Sequence, residues 1–211
     1  MAFVGGVSTP LSNFKSTDYH NNQAGFAKRG PTFGLEGAWY FHKNFALAFG
    51  LTYQDQGQLT TNDAQILANG YNTDYNKNNT VVSAVNRYQA LNFMIGPQYS
   101  YIIKKFTIDL RAQAGFFKST STPAITVGFD NTNSTSAPYQ ENATGTSLAY
   151  GGSLGFRYSL GESWDIGIRE GYLSSDGIKV KNTGTTGAVG RYVTKLPVTE
   201  MQTIISMTLK F

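Results

Sequence analysis

Thr203-Ile204-Ile205-Ser206-Met207-Thr208-Leu209-Lys210-Phe211 alternates residue by residue and ends on an aromatic ring. Thr203, Ile205, Met207, Leu209 and Phe211 share one parity, and Ser206, Thr208 and Lys210 share the other. A period of two sends successive side chains to opposite faces of an extended chain, so the stretch predicts a strand with one apolar and one polar side. Segments of the same kind recur upstream. Residues 2–12 form the least regular of them. Phe33, Leu35, Gly37, Trp39 and Phe41 line one face of a second, and Phe45, Leu47, Phe49, Leu51 and Tyr53 one face of a third. A fourth carries Leu91, Phe93, Ile95, Pro97, Tyr99, Tyr101 and Ile103, and a fifth Phe106, Ile108, Leu110, Ala112, Ala114 and Phe116. Tyr150, Gly152, Leu154, Phe156, Tyr158 and Leu160 mark a sixth, Trp164, Ile166 and Ile168 a seventh, and the C-terminal stretch is the eighth.

The connections between these segments differ sharply in length. Three are short: His42-Lys43-Asn44, Lys104-Lys105 and Gly161-Glu162-Ser163. Four are long and rich in Asn, Thr, Ser and Gly, over about 13–29, 56–86, 118–146 and 174–198. Short turns on one side of a membrane and long loops on the other are the pattern of an outer-membrane barrel. Composition agrees. The 211 residues are 14% aromatic and 14% charged, against roughly 25% charged for a soluble domain. No run approaches the ~18 apolar residues of a spanning helix, yet a barrel needs lipid contact only at every second residue. The aromatic content excludes a disordered polar chain. The expected fold is therefore all-β: one domain over 1–211, an eight-stranded antiparallel up-and-down transmembrane β-barrel with three short periplasmic turns and both termini on that side. Trp39, Phe41, Phe45, Tyr99, Tyr101, Phe106, Tyr158, Trp164 and Phe211 fall near the short-turn ends, and Tyr53, Phe116, Tyr150 and Tyr172 near the long-loop ends, as two interfacial girdles would. Met1-Ala2-Phe3 opens directly in strand-like sequence and reads as a mature form whose signal peptide was removed or replaced by a start Met.

The opposite parity defines the lumen. It carries Glu36, Asp109, Arg111, Arg157, Asp165, Arg169, Glu200 and Lys210, four acids facing four bases, with Asn92, Gln98, Gln113 and Gln202 among them. Small inward residues such as Gly34, Ala48, Gly96, Gly155 and Gly171 leave room for the long ones. Eight strands enclose a space that side chains can fill, so a packed polar network is expected, with a pore or proton path as the alternative. Glu170 breaks the pattern: strict parity from Ile168 turns it toward lipid, and a bulge or a position above the membrane is expected there.

With this turn–loop alternation and the terminal Ser206-Met207-Thr208-Leu209-Lys210-Phe211, the chain resembles the small OmpA/OmpX-type barrels of the outer membrane protein β-barrel domain family, with loops like those of a Bacteroidetes member. The resemblance implies a Gram-negative outer-membrane location, with Phe211, Leu209 and Met207 as the signal read by the barrel-assembly machinery. It also implies lipid and lipopolysaccharide as surroundings. No peptidoglycan-binding domain is expected beyond Phe211. Members of this size act as membrane-stability proteins, adhesins or receptors, or accessory subunits of a larger outer-membrane complex, and fold alone does not choose among these.

Sites for chemistry are sparse. There is no Cys, so no disulfide or thiolate metal site is expected. Some eight-stranded barrels modify lipid A and need Ser, His and an acid together at the outer rim. His42 falls in a periplasmic turn, and His20 in the first loop beside Asp18, Tyr19 and Ser16, where it reads as a solvated residue. Asp130-Asn131-Thr132-Asn133 has alternate oxygen ligands but lacks the Gly and distal Glu of a calcium loop; Asn62, Asp63 and Asp74 serve only if folded together. No catalytic, cofactor or metal residues are assigned. The scattered Lys and Arg of a net +4 charge argue against nucleic acid. A helix is expected from Asn62 to Gly70, and Lys179, Lys181, Arg191 and Lys195 form a basic cluster suited to lipopolysaccharide phosphates. The leading expectation is a non-enzymatic structural or interaction protein; a narrow pore comes second and a lipid A-modifying enzyme third.

Overall fold

The computed structural model describes residues 1–129, 139–182 and 191–210. Its wall consists of β1 (Ala2–Pro10), β2 (Gly30–Tyr40), β3 (Phe45–Asp55), β5 (Gln89–Ile103), β6 (Phe106–Ser121), β9 (Gly145–Ser159), β10 (Trp164–Lys179) and β11 (Lys195–Leu209). Each pairs antiparallel with its neighbours in chain order, and β1 pairs with β11 to close the ring. Closure leaves the wall without an edge strand, the condition for crossing lipid with strands. The terminal alternation does what its parity predicts: Ile205 and Met207 are exposed, whereas Ile204 is fully buried against Ala2 and Val4. Phe211 and the Asp130–Asn133 stretch lie outside the described residues.

The strands run further than the apolar alternation marks, and along their extra length the polarity inverts. On β10 the outward residues are Trp164, Ile166, Ile168, Glu170 and Tyr172, followed by Ser174, Asp176 and Lys179. Its inward residues change the other way, from Asp165 and Arg169 to Leu173 and Ile178. β6 repeats this, passing outward from Phe116 to Lys118 and inward from Gln113 to the buried Phe117. β11 passes inward from Gln202 and Glu200 to Val198 and Leu196. A wall that meets lipid needs an apolar outside; one that meets water needs an apolar inside. The inversion therefore marks the outer membrane boundary just beyond Tyr172 and Phe116.

Above that boundary the long connections fold into a cap. α1 (Ser12–Lys15) sits against β11, α2 (Thr61–Tyr75) replaces the shorter helix expected over Asn62–Gly70, and β4 (Val81–Val85), β7 (Ala124–Gly128) and β8 (Tyr139–Gln140) form a small antiparallel sheet. α2 starts at a capping box. The Thr60 hydroxyl accepts from the Asp63 backbone while the Asp63 carboxylate accepts from the Thr60 backbone at 2.8 Å. Gly70, a cost in a helix interior, is needed here, because a Cβ at this position would stand 2.2 Å from the Tyr19 ring. The expected bulge at Glu170 is absent: β10 keeps unbroken register with both neighbours from Asp165 to Ser175, and its irregularity falls between Ser175 and Ile178. There Gly177 adopts φ +93° and lies under the Leu196 carbonyl, 2.1 Å from where a Cβ would be. Glu170 thus faces outward below the boundary.

Candidate functional site: the lumen and its extracellular cap

Seven of the eight charged lumen residues form two groups of ion pairs, joined through the Gln98 amide. Glu36 on β2 accepts from Arg111 on β6 at 2.5 Å and from Arg169 on β10. Arg111 Nε donates to Gln98 Oε1 at 2.7 Å, and Gln98 Nε2 donates to Asp109 at 3.0 Å. Arg157 holds Asp109 through Nε and Nη2 and Asp165 through Nη1 at 3.1 Å, and Lys210 approaches Asp165 at 2.8 Å. Small residues make this possible. At Gly167 and Gly155 the Arg157 and Arg169 stems pass at 2.8 and 3.6 Å from where a Cβ would be.

Glu200 departs from the expected balance of four acids and four bases. It is fully buried, and no cation among the described residues reaches it. Instead three amides donate to it: Gln54 at 2.7 Å, Gln56 at 2.9 Å and Gln202 at 2.7 Å. Asn92 donates in turn to Gln54. Between this amide cluster and the ion pairs lies a cavity of about 30 Å³, bordered by Glu36, Arg169, Asn92, Ser153 and Gln202, with room for about two waters. Asn92 and Ser153 border it, and their Oδ1 and Oγ have no hydrogen-bond partner among the described residues.

The outer third of the lumen is apolar, which the sequence reading missed. Phe14 from the first loop, Tyr88, Phe117, Leu173, Val180, Val193, Leu196 and Val198 pack together across its mouth, and Phe14 meets Tyr88 edge-on at 5.2 Å. The signal was present in Phe117, Leu173 and Val198, apolar residues on the inward parity. A second core over it joins Tyr19, Phe26, Leu59, Leu67, Tyr71, Ile125 and Val127, with Phe129 and Tyr75 packed on their edge. Arg191 ties the fourth loop to the first. Its guanidinium lies 4.9 Å from the Phe26 ring centre and donates to the carbonyls of Asn21 and Ala24. Burial lowers the Arg191 pKa and pushes the Tyr71 phenol up to about 12.

The His20 neighbourhood is a turn. The Asp18 carboxylate accepts from the His20 backbone at 3.0 Å, the Ser16 hydroxyl from the Asp18 backbone at 3.3 Å, and the imidazole stands edge-on to Tyr19. Asp63 and Asp74 are both engaged, the first by Lys28 at 2.8 Å and the second by the Tyr19 hydroxyl at 2.7 Å. His42 stands in its periplasmic turn beside Phe45. Of the basic cluster, Lys179 and Lys195 are direct cross-strand partners, exposed and without a carboxylate among the described residues, and Arg191 is drawn away into the cap.

Burial alone would raise the Asp63 carboxyl, but the Lys28 ammonium and the Thr60 donors outweigh it and hold its pKa below the usual carboxylate value. A depressed pKa contributes stability above the unfolded value of about 4 and loses it as pH falls through the folded value. Below about pH 4 the start of α2 should loosen before the barrel does. Amide exchange at residues 60–64 checks this: faster exchange there in acid is expected, with the wall strands unchanged.

A closed eight-stranded ring with an apolar outer face and a packed lumen decides the architecture. The chain has the fold of an outer-membrane β-barrel. No protein-family model and no curated protein matches it. Neisserial surface protein A, NspA, superposes over 100% of this chain and 95% of its own, with a TM-score of 0.53 at 11% identity. The Yersinia pestis outer membrane protein Ail matches over 99% of this chain and 97% of its own, with a TM-score of 0.43 at 13% identity. AlkL, an outer membrane protein solved in DMPC bilayers, matches over 99% and 87%, with a TM-score of 0.34 at 14% identity. The NspA likeness supports the fold alone, that of a small outer-membrane β-barrel.

Proposed function

We propose that this barrel works by binding: a non-enzymatic interaction protein of a Gram-negative outer membrane that presents a folded cap outside the cell. One observation carries the reading. The lumen is filled from the periplasmic ion pairs to the apolar seal under the cap, so what the chain offers its surroundings is surface. The cap has its own apolar core, and such a core holds a recognition surface in one shape and lowers the entropy lost on binding. NspA is named a surface protein, which fits the same reading. The opposed Lys179 and Lys195 suit lipopolysaccharide phosphates at the outer rim, since like charges across a strand pair are relieved by a bound anion.

Purified protein in planar bilayers tests this. It is expected to give no conductance steps, and to bind lipopolysaccharide in a way that weakens in about 0.5 M salt. Sustained unitary conductance would instead make the chain a pore. A mass shift of lipid A on expression would make it an enzyme.

A further inference from the structure

Glu170 is the one charged side chain that faces outward inside the apolar band among the described residues. Trp164, Ile166 and Ile168 lie below it on the same face of β10, and Tyr172 lies above. At about 2.5 Å of height per tilted residue, it stands roughly 15 Å above Trp164 in a band about 25 Å tall. Its cross-strand neighbours are Leu154 on β9 and Thr203 on β11, and beyond Thr203 comes Val7 on β1. None of them donates to the carboxylate, and Arg169 beside it turns inward to Glu36. On the opposite wall β3 turns Leu47, Phe49 and Leu51 outward. An ionisable side chain against acyl chains is expensive and marks a site whose partner is to be named.

The chemistry narrows that partner. A carboxylate at this depth needs a cation or a strong donor within reach. No Lys or Arg faces outward within the band among the described residues, so a second copy brings none. We infer that the β10–β11 wall around Glu170 and Thr203 is covered in the membrane by a different transmembrane protein, which brings an Arg or Lys side chain to the Glu170 carboxylate. The inference rests on the interaction reading and names the surface through which part of it operates.

The test places a photoreactive benzophenone amino acid at position 203 and, as a control on the opposite wall, at position 51, in cells that make the full chain. Irradiation is expected to give one discrete protein adduct from 203 and none from 51. Sequencing the crosslinked peptide should find Arg or Lys within a few residues of the attachment. Glu170→Leu and Glu170→Gln should each cut the adduct by about tenfold or more, because a desolvated charge pair loses most of its energy when one charge goes. Both variants should fold in phosphatidylcholine vesicles at least as stably as the parent, which separates loss of docking from loss of folding. Lipid adducts alone, an adduct of two copies of this chain, or an adduct indifferent to residue 170 would each overturn the inference. A conducting barrel that keeps its charge-dependent adduct would overturn the proposed function and leave this wall assigned.

Discussion

Arg157→Ala is expected to lower barrel stability by about 3–5 kcal/mol, the cost of leaving a buried charge without its partner. Arg157 is the hinge of the periplasmic half of the network, because it alone bridges Asp109 and Asp165. Both carboxylates are more than nine-tenths buried, and Lys210 still serves Asp165 after the change. Asp109 keeps the Gln98 amide and the Ser100 hydroxyl, both neutral donors, and loses its only cation among the described residues. Arg157→Lys should recover part of the loss at most, since an ammonium cannot donate along two directions to Asp109 and a third to Asp165 from one plane. Urea titration of the protein folded into phosphatidylcholine vesicles, read by the gel shift of the folded form, measures this. A loss under about 1 kcal/mol would mean that water enters the lumen and screens Asp109.

Phe93→Arg should cost about 2–4 kcal/mol, as a charge does near the middle of a lipid-facing wall. Phe93 is exposed on β5 between Leu51 on β3 and Phe116 on β6, so no carboxylate lies near the new guanidinium. Leu154→Arg should cost less, although Leu154 is also exposed to lipid. Its cross-strand partner is Glu170, and opposite charges across a strand pair attract. The difference between the two variants in the same vesicles measures how strongly Glu170 wants a cation. Equal losses would place the Glu170 carboxylate out of reach of its neighbour or neutral in the membrane.

Much of this was legible along single strands. Parity alone put Phe93 and Leu154 outside, and Asp109, Arg111 and Arg157 inside. The alternation of short and long connections gave the up-and-down order. Parity also placed Glu170 outward, and the bulge invoked to rescue it is absent because the backbone register of β10 has no need of one. The cap was not legible. Phe14, Phe26 and Tyr71 stand singly in the sequence, and each looks like a lone aromatic in a solvated loop until the four loops pack them into two cores.

The sequence by itself determined the wall: eight alternating strands, their order, and which side of each meets lipid. These follow from a period of two, which is a property of neighbouring residues and needs no partner. The tertiary structure decided what fills and covers that wall. Glu36 meets Arg111 across 75 residues and Gln54 meets Glu200 across 146. Such pairings depend on the register and height of strands far apart in the chain, so the same inward parity gave Asp109 a guanidinium and Glu200 neutral donors. The cap follows the same logic, because a loop side chain acquires a core only when other loops close over it.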